Sequence, residues 1–367
     1  MKRKIKLYII ALVSLGIYFW AGSYKCMSIF LNDWNNEKRP ELLKLDNTMY
    51  GDLYGLSYLS KYRVEGAGFY AVADKLPVEK PEGKIYIIGD SYLAKMFLKD
   101  TSSNLYKTEL AAFYWFGLSE KADPVKLEKA KKNILLIEMS ERFVRSRFTS
   151  KSRVKSITEA FSTETRVTKK KVDPLDWRIV PKDIEQNIAT LFFGYRMFGS
   201  IKETKADFSY YAFNRCDPQV YVSEKQQRLY FSNTIDTLEI TSAFSVISDK
   251  EVGQIVNNMN AISEHYRKIG FDEVVFTFIP NAASVCSPGT YPYNNLLPEI
   301  QSSTELKADF INVYDAFRTS PDPCNLYWKG DTHWNASGYL IWQNLFNEYL
   351  KAGYNPEEQL SVFPLQK

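Results

Sequence analysis

The stretch KGDTHWNASGY, residues 329 to 339, holds one of only two histidines in the chain. Histidine is the side chain whose ordinary pKa lies near neutrality, so it is the usual choice for general-base work. Asp331, two positions before His333, can orient the ring and stabilise an imidazolium. The stretch therefore reads as half of a catalytic triad. A nucleophile is supplied by KIYIIGDSYLAKMF, residues 84 to 97, where Gly89-Asp90-Ser91 separates an apolar run of strand length from a helical pattern. A serine at such a turn is exposed, the N–H groups opening the helix favour an oxyanion, and Gly89 permits a tight turn. Taken alone the tripeptide is a weak signal, and helix capping by Asp90 or Ser91 competes with catalysis. A weak nucleophile needs a base, and the base needs an orienting acid, so Ser91, His333 and Asp331 gain weight as a set. The other histidine, His265 in SEHYRKIG, lies on a polar helix face and reads as a surface residue.

Strands must bring these distant residues together. KIYII (84–88), NILLIEM (133–139), EVVFTFI (273–279) and FINVYDAF (310–317) are apolar throughout. Between them lie a helical pattern with Leu93, Met96 and Phe97 on one face, a Lys-rich amphipathic stretch PVKLEKAKK, and the helical NNMNAISEHYRKIGF. This alternation predicts an α/β fold: a doubly wound parallel sheet with helices on both faces. VEKPEGK punctuates the entry to the first strand. A long insertion is expected at about 145 to 245. It holds a basic tract (TRVTKKKVD), the helical DIEQNIATLFFGYRMFGSIKETKADF and a hairpin-like VYVSEKQQRLYF. A solvated loop is the leading reading of the basic tract, with contact to an anionic polymer or lipid headgroups as the alternative.

Hydrophobic residues make up 45% of the chain and charged residues 25%, which predicts a folded protein and not a disordered one. Basic and acidic residues number 47 and 43, a near balance that argues against nucleic-acid binding. The aromatic fraction of 15% is read mainly as core, with sugar stacking as a secondary use. At the start, MKRKIK precedes an apolar run from Leu7 to about Ala21. That run suits a short membrane span or a signal peptide, and the Tyr18-Phe19-Trp20 end favours an uncleaved anchor over cleavage at Ala21-Gly22-Ser23. Either reading exports the rest of the chain. The expected division is a cytoplasmic cap and anchor (1–25), a membrane-proximal segment (26–80) and a catalytic domain (81–355). Cysteines 26, 216, 286 and 324 show no metal-ligand spacing. Cys286 and Cys324 sit in proline-containing loops near strand ends, an arrangement compatible with a disulfide, although spacing alone leaves connectivity open. No His cluster, P-loop or GxGxxG calls for a metal or cofactor.

Taken together, IIGDSY, LIEMSERFV and YWKGDTHWNASGY resemble the SGNH (GDSL-like) hydrolase superfamily, and within it the DHHW-type, alginate O-acetyltransferase-like branch. The likeness runs from about residue 80 to 350, with DTHWN as its most specific part. It implies an SGNH-like, flavodoxin-like sheet and an exported enzyme whose serine accepts acetyl, fed by a membrane-bound O-acyltransferase. Ser91 would be the nucleophile, His333 the base and acid, and Asp331 the orienting residue. Gly89, Asp90 and Asn281 are the candidate oxyanion contacts beyond the serine amide. Arg142, of the Glu141-Arg142 pair, is a candidate substrate or oxyanion contact, or half of a buried ion pair. Trp334 and Asn335 would shape the pocket around His333, with simple packing of the loop as the alternative for Trp334. The Asp-x-His spacing fits the branch, whereas the wider superfamily usually places its Asp three positions before the His. In some alginate-type members the Asp-x-His block precedes the serine; here it follows, so the acceptor is not inherited from them. The expected function is O-acetylation of a cell-envelope or secreted polysaccharide. A carbohydrate esterase with the same triad and a non-catalytic polysaccharide-binding or assembly protein are the alternatives.

Overall fold

The computed structural model describes residues 2–31, 38–45, 50–64, 81–97, 105–116, 124–162, 179–287 and 291–354. The basic tract 165–173 and residues 65–80 fall outside the described residues. In chain order the helices and strands are α1 (Lys2–Gly22), α2 (Tyr24–Leu31), α3 (Asp52–Ser57), β1 (Gly83–Gly89), α4 (Ser91–Phe97), β2 (Thr108–Trp115), β3 (Lys132–Ser140), α5 (Glu141–Phe148) and α6 (Lys151–Thr158). There follow α7 (Ile184–Phe193), α8 (Gly199–Phe213), β4 (Val220–Ser223), β5 (Arg228–Phe231), α9 (Asp249–Lys268), β6 (Glu273–Ile279), α10 (Ala282–Cys286), α11 (Leu296–Ser302), β7 (Asp309–Ile311), α12 (Val313–Arg318) and α13 (Ala336–Tyr354). The chain divides into two units, Met1–Glu65 with Val167–Asp217, and Gly66–Arg166 with Pro218–Lys367. The span 145–245, expected as one insertion, is shared between them.

The second unit is built on a five-stranded sheet ordered β2-β1-β3-β6-β7, with every pair parallel. Successive side chains on a strand face opposite ways, so a strand covered on both faces must be apolar at nearly every position. Ile85, Ile87, Ile134, Leu136 and Val275 meet Trp342, Phe346 and Leu350 of α13 on one side. Tyr86, Ile88, Leu135, Ile137, Val274 and Phe276 meet Val256, Met259 and Ile262 of α9 and Val144 and Phe148 of α5 on the other. The chain leaves β1 toward β2 on one side, then crosses to β3 on the other. Such a reversal opens a crevice beyond the carboxyl ends of the strands, where doubly wound sheets bind ligands. Ser91 stands at that end of β1.

Three sequence expectations change. β2, TELAAFYW, was not among the expected strands: it is a half-buried edge strand with polar residues at its start, so it lacks the continuous apolar signature. Residues 124–131 form no helix; they run irregularly into β3. FINVYDAF is not one strand. β7 stops at Ile311 because the Asn312 side chain accepts the Asp315 N–H (3.1 Å), capping α12. The expected hairpin is present as the antiparallel pair β4 and β5.

In the first unit, Lys4–Gly22 of α1 has a mean hydropathy of 1.7 and is long and apolar enough to cross a membrane, as an anchor or a signal sequence would be. Asn187 of α7 donates to the Ala21 carbonyl (2.7 Å), the Val180 N–H donates to the Gly22 carbonyl (2.8 Å), and Ser23 pairs with Ile179.

Candidate active site

Ser91 opens α4 directly beyond β1, and the loop before α13 carries Asp331 and His333. His333 Nε2 lies 2.8 Å from Ser91 Oγ, and His333 Nδ1 lies 2.5 Å from Asp331 Oδ1. Asp331 Oδ1 also accepts the backbone N–H of His333 (2.8 Å). One carboxylate oxygen thus holds both the backbone and the ring of the residue two positions on, which gives the Asp-x-His spacing a physical reason. A carboxylate on Nδ1 fixes the proton there and leaves the Nε2 lone pair facing the serine hydroxyl. His333 and Asp331 are buried, while Ser91 keeps partial access to solvent. Tyr92 closes the far side of the ring: its hydroxyl donates to the Thr332 carbonyl (2.6 Å), and its ring centroid lies 4.7 Å from that of His333.

The floor beneath the serine is a buried carboxyl pair. Asp90 Oδ1 accepts the Tyr92 N–H (3.0 Å), capping α4, while Oδ2 accepts the N–H (2.9 Å) and hydroxyl (2.8 Å) of Ser140 at the end of β3. The Asp90 N–H in turn donates to Glu138 Oε2 (3.0 Å). Burial, and then the Asp90 charge, push the Glu138 carboxyl well above its ordinary range. Arg147 offsets part of this charge from α5, and its own burial lowers it to about 10. Gly89 does not take up the left-handed conformation expected of a turn glycine. A Cβ there would come 2.9 Å from Glu138 Oε2, so its role is to leave room for that carboxyl. Asp90 is likewise a cap and a strut between strands, its carboxylate fully occupied.

Asn281 follows β6. Its backbone N–H donates to Glu141 Oε2 (2.8 Å), and Glu141 also takes hydrogen bonds from the hydroxyls of Ser284 and Tyr293. The Asn281 side chain is buried, and its Nδ2 has no partner among the described residues. Glu141 is therefore saturated without Arg142, and the alternative reading of Arg142 as half of a buried ion pair finds no acidic partner among the described residues. The Arg142 guanidinium instead lies over the rings of Phe143 (4.9 Å) and Phe231 (5.8 Å). Two expected pocket residues are structural. Trp334 is fully buried against Tyr92, Phe317, Tyr339 and Trp342. Asn335 caps α13, its Oδ1 accepting the N–H groups of Ser337 (2.9 Å) and Gly338 (3.2 Å). His265 is on the surface, its ring bonded to the Thr158 carbonyl.

Sequence reasoning missed Arg228 on β5. Its buried guanidinium donates to the carbonyls of Cys324 (2.8 Å), Tyr327 (3.1 Å) and Trp328 (2.9 Å) and to Cys286 Sγ (3.0 Å). Cys286 and Cys324 form a disulfide with Cα atoms 5.1 Å apart, tying the same loop to α10. Arg228 and the disulfide thus brace the base of the loop whose tip bears His333. The only sequence signal was an arginine at the start of an otherwise apolar short strand.

Comparison with protein-family models, curated proteins and solved structures finds no match in any of the three.

Two stability predictions follow from this geometry. Native Glu138 holds a proton that the unfolded chain releases near its ordinary pKa, so stability falls as pH rises from that value toward the elevated native one. The limiting slope for one proton is about 1.4 kcal/mol per pH unit. Glu138→Gln keeps the hydrogen bonds of the protonated acid, so denaturation curves across pH should be flatter in the variant; identical pH profiles would refute the assignment. Arg228→Ala should lose about 1–3 kcal/mol for each carbonyl left without a donor, read from denaturant midpoints, and a loss under about 1 kcal/mol in total would contradict the brace.

Proposed function

We propose that this chain is a membrane-anchored O-acetyltransferase of the SGNH type, related to the DHHW-type branch, that acetylates hydroxyls of a cell-envelope or secreted polysaccharide. The observation that carries the reading is the continuous Asp331–His333–Ser91 hydrogen-bond relay at the carboxyl end of β1. His333 Nε2 takes the serine proton as Ser91 Oγ attacks the acetyl carbonyl. Negative charge builds on the carbonyl oxygen, for which the Ser91 amide and the unpartnered Asn281 Nδ2 are the candidate donors. Collapse of the tetrahedral intermediate expels the donor's alcohol, which leaves with the proton from His333. The acetyl-serine is then attacked by a sugar hydroxyl, deprotonated by the same imidazole, and Ser91 recovers its proton. Asp331 stabilises the imidazolium in both halves.

The helix α1 supports an anchor with the catalytic residues outside the cytoplasm, where acetyl must come from a membrane-borne donor. A membrane-bound O-acyltransferase is the partner this requires. Partial exposure of Ser91 admits an acceptor as well as water, so the competition between transfer and hydrolysis is the informative readout.

With p-nitrophenyl acetate as donor and detergent-solubilised full-length protein, cell-envelope oligosaccharides should accelerate nitrophenol release and emerge O-acetylated by mass spectrometry. Free acetate as the sole product, at an unchanged rate, would make the protein an esterase. Asp331→Asn reverses the favoured tautomer and should lower acylation by roughly three to four orders of magnitude; near wild-type rates would remove Asp331 from the mechanism.

A further inference from the structure

α8 is built inside out. Its two acids and Lys202 point into its own unit: Tyr54 donates to Glu203 (2.8 Å), Ser60 donates to Asp207 through its hydroxyl (2.6 Å) and N–H (3.1 Å), and Lys202 donates to Tyr58 (2.9 Å). The exposed side of the helix carries Ile201 (67% exposed), Phe208 (64%) and Tyr211 (64%), at helical spacing from Met197 (50%) in the turn before it, with the small polar Ser200 and Thr204 among them. Phe213 at its end packs on Phe208, with ring centroids 5.5 Å apart, and Phe192 and Phe193 at the end of α7 are exposed as well. Lys205 is the exposed charged residue of α8, and its two acids are half-buried. In a water-facing helix the polar groups would be outside and the large apolar ones within. An apolar surface of this kind marks contact with something other than water.

What covers it follows from α1. The span ends in residues that belong to the same folded unit: Ala21 and Ser23 are fully buried, and residues 21 to 23 are bonded to residues 179, 180 and 187, at and just before the start of α7. An apolar helix that crosses the bilayer therefore holds the inverted segment within a few residues of its exit. Aromatic side chains at the patch and a lysine able to extend its amine to headgroups match the chemistry of an interfacial helix.

We infer that the 192–213 segment lies on the bilayer, with Phe192, Phe193, Met197, Ile201, Phe208 and Tyr211 set into the boundary between headgroups and acyl chains. This surface fixes the first unit against the lipid and makes α1 a retained anchor, since cleavage at Ala21-Gly22-Ser23 would cut a buried, hydrogen-bonded segment. The inference rests on α1 spanning the membrane and is independent of the chemistry at Ser91.

The test is spin-label accessibility in full-length protein, free of other proteins, in nanodiscs that include anionic lipid. Cys26→Ser and Cys216→Ser remove the two thiols outside the disulfide. Single labels are then placed by Ile201→Cys, Phe208→Cys, Leu12→Cys in α1 and Glu264→Cys, an exposed site on α9. Labels at 201 and 208 should be severalfold more accessible to oxygen than to a water-soluble nickel chelate, like the label at 12 and unlike the one at 264. If 201 and 208 behave like 264 while 12 reports lipid, the inference falls and the anchor stands. Labels shielded from both reagents would mean a second copy covers the patch, and a water-exposed label at 12 would remove the anchor itself; each outcome overturns the inference.

Discussion

The 2.8 Å hydrogen bond between the Ser91 hydroxyl and His333 joins residues 242 positions apart, and most of the second unit is organised to make it. A hydroxyl and an imidazole at that separation have no intrinsic reason to stay aligned. Alignment comes from two rigid supports. On the serine side, β1 is paired with neighbours on both flanks, and the Asp90 carboxylate ties the start of α4 to the end of β3. On the histidine side, Asp331 grips the ring and backbone together, while Arg228 and the disulfide hold the base of the loop.

Both supports use buried polar groups, which are costly unless satisfied. The Asp90 carboxylate has three donors, and Arg228 has three carbonyls. Two atoms of these supports are exceptions among the described residues, Arg228 Nε and one oxygen of Glu138, whose proton is kept by burial beside a second carboxylate. That carboxyl occupies the space a side chain at residue 89 would fill, so the glycine of Gly-Asp-Ser is required by packing in this protein.

Legibility in the sequence tracked how local the physics was. The three central strands were readable because burial on both faces forces unbroken apolar runs. The triad was readable because few residue types can do its work and the chain has only two histidines. β2 escaped because an edge strand is half exposed, and β7 was overextended because a capping asparagine inside FINVYDAF carries no hydrophobic signal. Asn335 was read as a pocket residue because it neighbours His333 in sequence, whereas its side chain caps α13; for Trp334 the structure shows the packing alternative. Arg228 could not be found at all: its role depends on carbonyls about 100 residues away. The inverted polarity of α8 likewise appears only when its hydrogen-bond partners are known.

The central claim is that Ser91 becomes covalently acylated. Intact-mass spectrometry of the full-length protein, quenched in acid after brief exposure to an activated acetyl ester, tests it most directly, with peptide mapping to locate the adduct and Ser91→Ala as the control. The account predicts a single added acetyl group on wild type, mapped to Ser91 and missing from the variant. An equal adduct in Ser91→Ala, or none on wild type at any pH near neutrality, would contradict it.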